Sequence, residues 1–289
     1  MVWRDLREWI AEIEKLGEMR VVEGATWQKD IGEITEMLDH TKDAPCVIFD
    51  NIPGYSMGYR VIVNCNGTKK RQAVTLGISA SDVTHQMLLD RWEMILKDLK
   101  PIPPILVDSA PVVENTVRGS DIDLELFPAP QWHPKDGGRF IGTASVNIMR
   151  DPESAWVNLG TYRNQILEPD KLGVWISPGK HGRSIRDRYF EKGEKCPIVV
   201  LVGCDPLIFW SACVEGIPYG MSELDWVGGV KGTPMEVIEG PITGLPIPAY
   251  AEIVLEGTIS EDESGEEGPY GDHTGYYNAA EPVSYTHLT

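Results

Sequence analysis

The apolar positions of the first hundred residues follow two alternating periods. Over residues 5–16, Leu6, Trp9, Ile10, Ile13 and Leu16 recur at three- and four-residue spacing and Gly17 interrupts them, which predicts an amphipathic helix. Residues 19–22 predict a short strand, and residues 30–41 a second helix with Ile31, Ile34, Met37 and Leu38 turned inward. Residues 46–49 and 60–63 read as strands on either side of the turn at Asn51-Ile52-Pro53-Gly54. A third helix is expected to open at Ser81-Asp82, a good N-cap, and to carry Val83, Met87, Leu88, Trp92, Ile95 and Leu96. Strand and helix in alternation predict an α/β layer, with the apolar and aromatic side chains as its core.

Lys100-Pro101-Ile102-Pro103-Pro104 ends that pattern, because proline cannot continue a helix. Beyond it the chain is rich in valine, isoleucine and threonine. Short strands are expected near 122–126, 143–149, 156–160, 173–176, 198–203 and 251–255, with helices near 184–190 and 220–228. That spacing predicts a mainly β barrel or sandwich. The expected fold class is therefore α+β, with an N-terminal α/β domain over residues 1–104 and a mainly β domain over 105–283. Ser284-Tyr285-Thr286-His287-Leu288-Thr289 does not read as the hydrophobic strand expected after Glu281-Pro282-Val283. Residues 284–289 are set apart as an atypical tail, expected to be a truncated or chimeric, artefactual end.

The chain has 289 residues, 42% hydrophobic and 24% charged, ordinary proportions for a globular protein. Its net charge of −18 argues against a nucleic-acid binder, which needs a basic face, and against docking on anionic lipid. Five scattered cysteines with no Cys-x-x-Cys fit a reducing cytoplasm better than a disulfide framework. The first residues read as a polar helix rather than a signal peptide, and no run approaches the roughly 20 apolar residues of a membrane span.

Candidate chemistry begins at Glu267-Gly268-Pro269-Tyr270-Gly271-Asp272, followed by His273-Thr274-Gly275-Tyr276-Tyr277. Two carboxylates flank a turn that can fold back and face them into one pocket, where different surroundings would separate their pKa values into a base and an acid. The plainer reading is an acidic surface turn, since Glu261, Asp262, Glu263 and Glu266 resemble a solvated charge run. In Asp136-Gly137-Gly138-Arg139 the glycines would let the backbone approach an anion, and a turn with an exposed Arg139 is the simpler reading. Asn158 and Arg163 close an otherwise apolar strand. Arg163 is either a core tie to a carboxylate or a bidentate clamp for one in a substrate. His181 stands in a glycine-flanked basic loop as a surface histidine, a metal ligand or a phosphate neighbour. Glu223 either complements a helix N-terminus or joins Asn158 and His181 in a mixed oxygen and nitrogen set suited to Mn2+ or Mg2+.

Together, Asp136 to Thr143, Asn158 to Arg163, His181, Ser222-Glu223 and the Glu267 to Tyr277 motif resemble, in order and spacing, the UbiD family of reversible decarboxylases that use prenylated FMN. The resemblance implies that the mainly β section is a flavin-binding split barrel. It implies Arg163, Glu267 and Asp272 as the catalytic network, with Arg163 holding the substrate carboxylate and Asp272 donating the proton. It implies Asn158, His181 and Glu223 as ligands of Mn2+ (or Mg2+) against the cofactor phosphate, and K+ bound nearby through backbone carbonyls. Thr143, Thr161, Tyr162, Arg163 and His181 are the implied cofactor contacts. Prenylated FMN serves that family as an electron sink for loss of CO2 from an sp2 carbon.

The implied function is reversible, non-oxidative decarboxylation of an aromatic, heteroaromatic or α,β-unsaturated carboxylic acid. A flavin prenyltransferase would supply the cofactor, and the full-length form would be a homo-oligomer. The family's C-terminal domain is expected to be absent here. Asp272 stands where some members, including ferulic-acid decarboxylases, carry glutamate, and residues 177–183 differ from the 4-hydroxy-3-polyprenylbenzoate decarboxylases. The alternatives are a non-catalytic flavin-binding subunit of a multi-subunit carboxylase and a plain structural β domain.

Overall fold

The computed structural model describes residues 3–272 and 274–289, so Met1, Val2 and His273 lie outside the described residues. Helix α1 (Leu6–Lys15) opens where the Asp5 carboxylate accepts from Glu8 N at 2.9 Å, and it buries Leu6, Trp9 and Ile13. Strands β1 (Met19–Glu23), β2 (Cys46–Asp50) and β3 (Val61–Val63) form a small sheet, with β1 parallel and β3 antiparallel to β2. Helix α2 (Asp30–Asp39) covers the β1–β2 crossover with Ile31 against Val47, Phe49 and Val63.

Helix α3 (Lys69–Thr75) has no apolar stripe and was not expected. It forms because Thr68 caps it and because Arg71, wholly buried, donates to Glu18 Oε2 (3.0 Å) and Ala44 O (2.8 Å). Helix α4 (His85–Asp98) is capped by Thr84, not Ser81, since Asp82 at φ +53° cannot begin a helix.

The two sections share one core. Trp9, Ile13, Leu88 and Ile95 of the first section pack in one cluster with Val146, Val199, Leu207 and Trp226 of the second. Strand β4 (Ile105–Leu106) runs parallel to β11 (Glu236–Glu239), which pairs β12 (Pro246–Pro248). The strand expected over 122–126 is instead a 3-10 turn at Leu124–Leu126, where the Asp123 side chain accepts from Glu125 N. That local bond competes with any ladder.

The second section is built on eight strands: β5 (Phe140–Gly142), β6 (Val146–Arg150), β7 (Val157–Gly160), β8 (Arg163–Glu168), β9 (Lys171–Trp175), β10 (Cys196–Val202), β13 (Ile253–Glu267) and β16 (Glu281–Leu288). Their order is β5-β8-β9-β16-β13-β10-β6-β7, one sheet curled into a half-barrel. Successive residues of β10 serve opposite faces: Ile198 and Val200 enter the core inside the curl, while Val199 and Leu201 enter the core shared with the N-terminal helices. Helices α5 (His181–Glu191), α6 (Pro206–Cys213) and α7 (Glu223–Lys231) pack on the sheet, and β14 (Tyr270–Gly271) pairs β15 (Tyr277–Asn278).

The expectation that residues 284–289 do not continue the strand after Val283 is corrected. Residues 284–288 run within β16, between β13 and β9, with Thr286 opposite both Ile259 and Leu172. Val283, Thr286 and Leu288 are buried, so the segment behaves as a central strand despite its polar composition. Glu261, Asp262, Glu263 and Glu266 are exposed as expected, but inside the long β13. Among the described residues no helix is long and apolar enough to cross a membrane, and all five cysteines are free.

Candidate active site

Arg163 opens β8 and Glu267 closes β13, with β9 and β16 between them in the sheet. The two side chains meet across this gap: Arg163 Nε donates to Oε1 at 2.6 Å and Nη2 to Oε2 at 2.7 Å, the bidentate fork that guanidinium and carboxylate geometry favour. Gly173 of β9 leaves room for the crossing, since a Cβ there would stand 3.4 Å from Glu267 Cγ and closer still to Val283 and Leu167. Glu267 is fully buried and Arg163 nearly so (13% exposed). The rings of Tyr270 and Trp175 lie 5.0 and 5.5 Å from the guanidinium carbon. Arg163 Nη1 has no protein partner among the described residues. Two residues along the same face of β8, Gln165 Oε1 accepts from Gly268 N at 2.7 Å.

The turn after Glu267 contains a cis Gly268-Pro269 bond, with Gly268 at φ +91°. It packs on the segment that begins at Asp136. Asp136 accepts from Gly271 N and from His133 N, both at 2.8 Å, and Gly137 N donates to Pro269 O at 2.7 Å. A Cβ on Gly137 would fall 1.8 Å from Gly268 O. Gly137 therefore serves a close approach of two backbones, and Gly138 leaves room for the Gln165 side chain, whose amide nitrogen would stand 2.7 Å from a Cβ there. Arg139 is not exposed either: it is half-buried, donates to Ala129 O (3.0 Å) and Tyr55 OH (2.6 Å), and stacks over Trp27.

Asp272 is half-buried and its Oδ2 accepts from Asn278 Nδ2 at 3.4 Å. Burial, aided by the charges of Asp136, Asp272 and Glu267 and opposed by Arg163, pushes the Tyr270 hydroxyl up to about 12. Tyr270 thus stands among both acids of the motif while covering the arginine.

A second cluster forms where β7 meets α7. Ser222 caps α7, and the Glu223 carboxylate accepts from Asn158 Nδ2 at 3.1 Å and from Leu159 N at 2.7 Å. His181 is the first residue of α5, not part of a loop, and its ring lies 5.0 Å from that of Trp156 and 5.5 Å from that of Tyr219. Burial raises the Glu223 carboxyl to about 7, and among the described residues no cationic side chain pairs with it. A buried carboxylate without a counter-charge, bonded to the Asn158 amide, fits a divalent cation, and the exposed His181 adjoins that pair through Trp156, whose indole donates to Met221 O. Among the described residues no three His, Cys, Asp or Glu side chains are clustered for a metal, so this set depends on the Asn158 amide.

The remaining candidates lie around the β7–β8 connection. Tyr162 is committed to structure: its hydroxyl accepts from Gly182 N at 3.0 Å, one residue after His181, and burial pushes that hydroxyl up to about 12. Thr161 Oγ1 lies 3.2 Å from Cys213 Sγ, and Thr143 is half-buried just after β5. Sequence reasoning missed Ser145, Asn147 and Asn164. All three are buried and donate to Tyr162 O (3.2, 3.2 and 2.7 Å), fixing the backbone immediately before Arg163. Asn147 did carry a signal, an amide enclosed between Val146 and Ile148 in a mainly apolar strand.

A family model described as the 3-octaprenyl-4-hydroxybenzoate carboxy-lyase Rift-related domain (UbiD) matches residues 105–289, and one for the N-terminal domain of the same carboxy-lyases matches residues 10–90. An uncharacterized protein of Archaeoglobus fulgidus is 33% identical over 305 residues, covering all of this chain and 61% of that protein. Vanillic acid decarboxylase of Sedimentibacter hydroxybenzoicus, in its closed form, superposes with a TM-score of 0.91 at 28% identity, over 100% of this chain and 61% of that one. The UbiD-class enzyme HmfF of Pelotomaculum thermopropionicum, in complex with FMN, superposes with a TM-score of 0.87 at 27% identity, over 99% and 61%. The chain thus spans about three-fifths of the length of these relatives.

Proposed function

Since the chain belongs to the UbiD family, we propose that it carries the cofactor-binding and acid-bearing part of a reversible, non-oxidative decarboxylase of aromatic, heteroaromatic or α,β-unsaturated carboxylic acids. The observation that carries this reading is the buried Arg163–Glu267 fork, which leaves Nη1 of the guanidinium to a ligand. A carboxylate of the substrate would take that donor and lie over the same cation, while Glu267 keeps the guanidinium oriented and balances its charge when the site is empty. Asp272, reached from the other end of the turn, would deliver the proton to the carbon that loses CO2. Tyr270 and Trp175 lie against the guanidinium and leave it little contact with water, which strengthens its hold on an anion.

Asn158, His181 and Glu223 would hold Mn2+ (or Mg2+), with K+ bound nearby, and prenylated FMN would rest against Thr143, Thr161, Tyr162, Arg163 and His181. When bound, prenylated FMN supplies the electron sink that an sp2 carbon lacks. A flavin prenyltransferase would provide it, and the protein would act as a homo-oligomer in the cytoplasm.

The test is co-expression with a flavin prenyltransferase, followed by a screen of carboxyl-labelled aryl and acrylic acids for label release. Release from at least one acid by protein that has retained flavin is the expected result. Flavin retained with no release from any acid would favour the second reading, a non-catalytic flavin-binding subunit.

A further inference from the structure

Histidines that bind metals are usually oriented by a hydrogen bond to the second ring nitrogen. His181 has no such bond from the protein among the described residues. Its ring is instead set by aromatic walls, edge-on to Trp156 at 5.0 Å and to Tyr219 at 5.5 Å, with those two rings 4.7 Å apart.

Trp156 does more than wall the imidazole. Its Nε1 donates to Met221 O at 3.0 Å, two residues before Glu223 and next to the Ser222 cap of α7. It also lies just ahead of β7, two residues before Asn158, and its carbonyl accepts from Asp151 N at 2.8 Å. Asp151 is buried and pairs with Arg188 on α5, the helix that begins with His181. Trp156 therefore contacts or adjoins the segment bearing each of Asn158, His181 and Glu223, and it is itself buried.

We infer that Trp156 is the positioning residue that sets these three side chains in register as one cation site, acting through its ring on His181 and through its indole N–H on the start of α7. This rests on the reading that Asn158, His181 and Glu223 bind a divalent cation. Phenylalanine would keep a ring against the imidazole and lose the N–H tie; leucine would lose both.

The test is Mn2+ affinity of the metal-free 289-residue chain, followed by electron paramagnetic resonance of free Mn2+, with Glu223→Gln as reference. The expected result is severe loss in Glu223→Gln, affinity weakened about 10–100-fold in Trp156→Leu, and a smaller loss in Trp156→Phe. Adding Trp156→Leu to His181→Ala should weaken binding further, but by less than Trp156→Leu weakens the wild type, because part of the tryptophan's effect passes through that ring and part through the N–H tie. Wild-type affinity in Trp156→Leu, with Glu223→Gln impaired, overturns the inference and leaves the metal reading standing. Wild-type affinity in Glu223→Gln overturns the metal reading itself. If Trp156→Leu does not fold, Trp156→Phe decides, and unchanged affinity there overturns the inference.

Discussion

Arg163 and Glu267, 104 residues apart in sequence, are joined by two near-parallel hydrogen bonds of 2.6 and 2.7 Å inside the curled sheet. Breaking such a pair from one side leaves a buried charge uncompensated, whereas removing both sides does not. Arg163→Ala should therefore cost about 3–5 kcal/mol of stability in urea unfolding. Arg163→Met combined with Glu267→Leu should recover most of that loss without recovering turnover. A double variant as unstable as Arg163→Ala would show that the fork is not the source of the cost.

Gly137 makes a second, purely steric prediction. Its missing Cβ is what lets the Asp136 segment lie against Gly268 O, so Gly137→Ala must push the acid-bearing turn away from Arg163. Overpacking of this kind costs about 1–3 kcal/mol. Turnover should fall more steeply than stability, because Glu267 and Asp272 sit at the two ends of the displaced turn. Unchanged turnover in Gly137→Ala, measured on any responsive acid, would remove this segment from the site's scaffold.

These two sites differ in how far they could be read in advance. Helices α1, α2 and α4 were legible because each carries one apolar stripe. Helix α6 was not, since Leu207-Ile208-Phe209-Trp210 is apolar on every side and has no period to detect. In α3 the buried arm is Arg71, which reads as solvent-facing until Glu18 and Ala44 are seen around it. Arg163, Asn158 and Glu267 were legible as polar residues at the ends of apolar runs or beside Gly-Pro turns. The partners that hold them, Gly173, Gln165, Asn147 and Asn164, act through contacts between strands distant in sequence. Residues 284–288 were misjudged because strand membership there is decided by β9 and β13 on either side, not by the segment's own hydrophobicity.

Glu223 predicts a pH dependence. Burial holds its carboxyl near 7 against an ordinary 4.5, so between these values the folded chain keeps a proton that the unfolded chain has released. Stability without a cation is thus fully present below 4.5 and declines as pH rises through 7. The contribution is on the order of 3 kcal/mol. Denaturant unfolding in a chelator at about pH 5 and about pH 7.5 should show a decline in wild type that Glu223→Gln reduces, and Mn2+ should offset it at the higher pH. Equal slopes in wild type and Glu223→Gln would mean that this carboxylate is not the titrating group.

The catalytic reading comes down to what the Arg163 guanidinium does once flavin is in place. The direct measurement is the rate of CO2 release from one responsive acid by flavin-loaded wild type, Arg163→Ala and Asp272→Asn, at matched flavin content. The account predicts that both variants fall by about 100-fold or more, the scale of a lost general acid or a lost clamp. Release at the wild-type rate by flavin-loaded Arg163→Ala would contradict it.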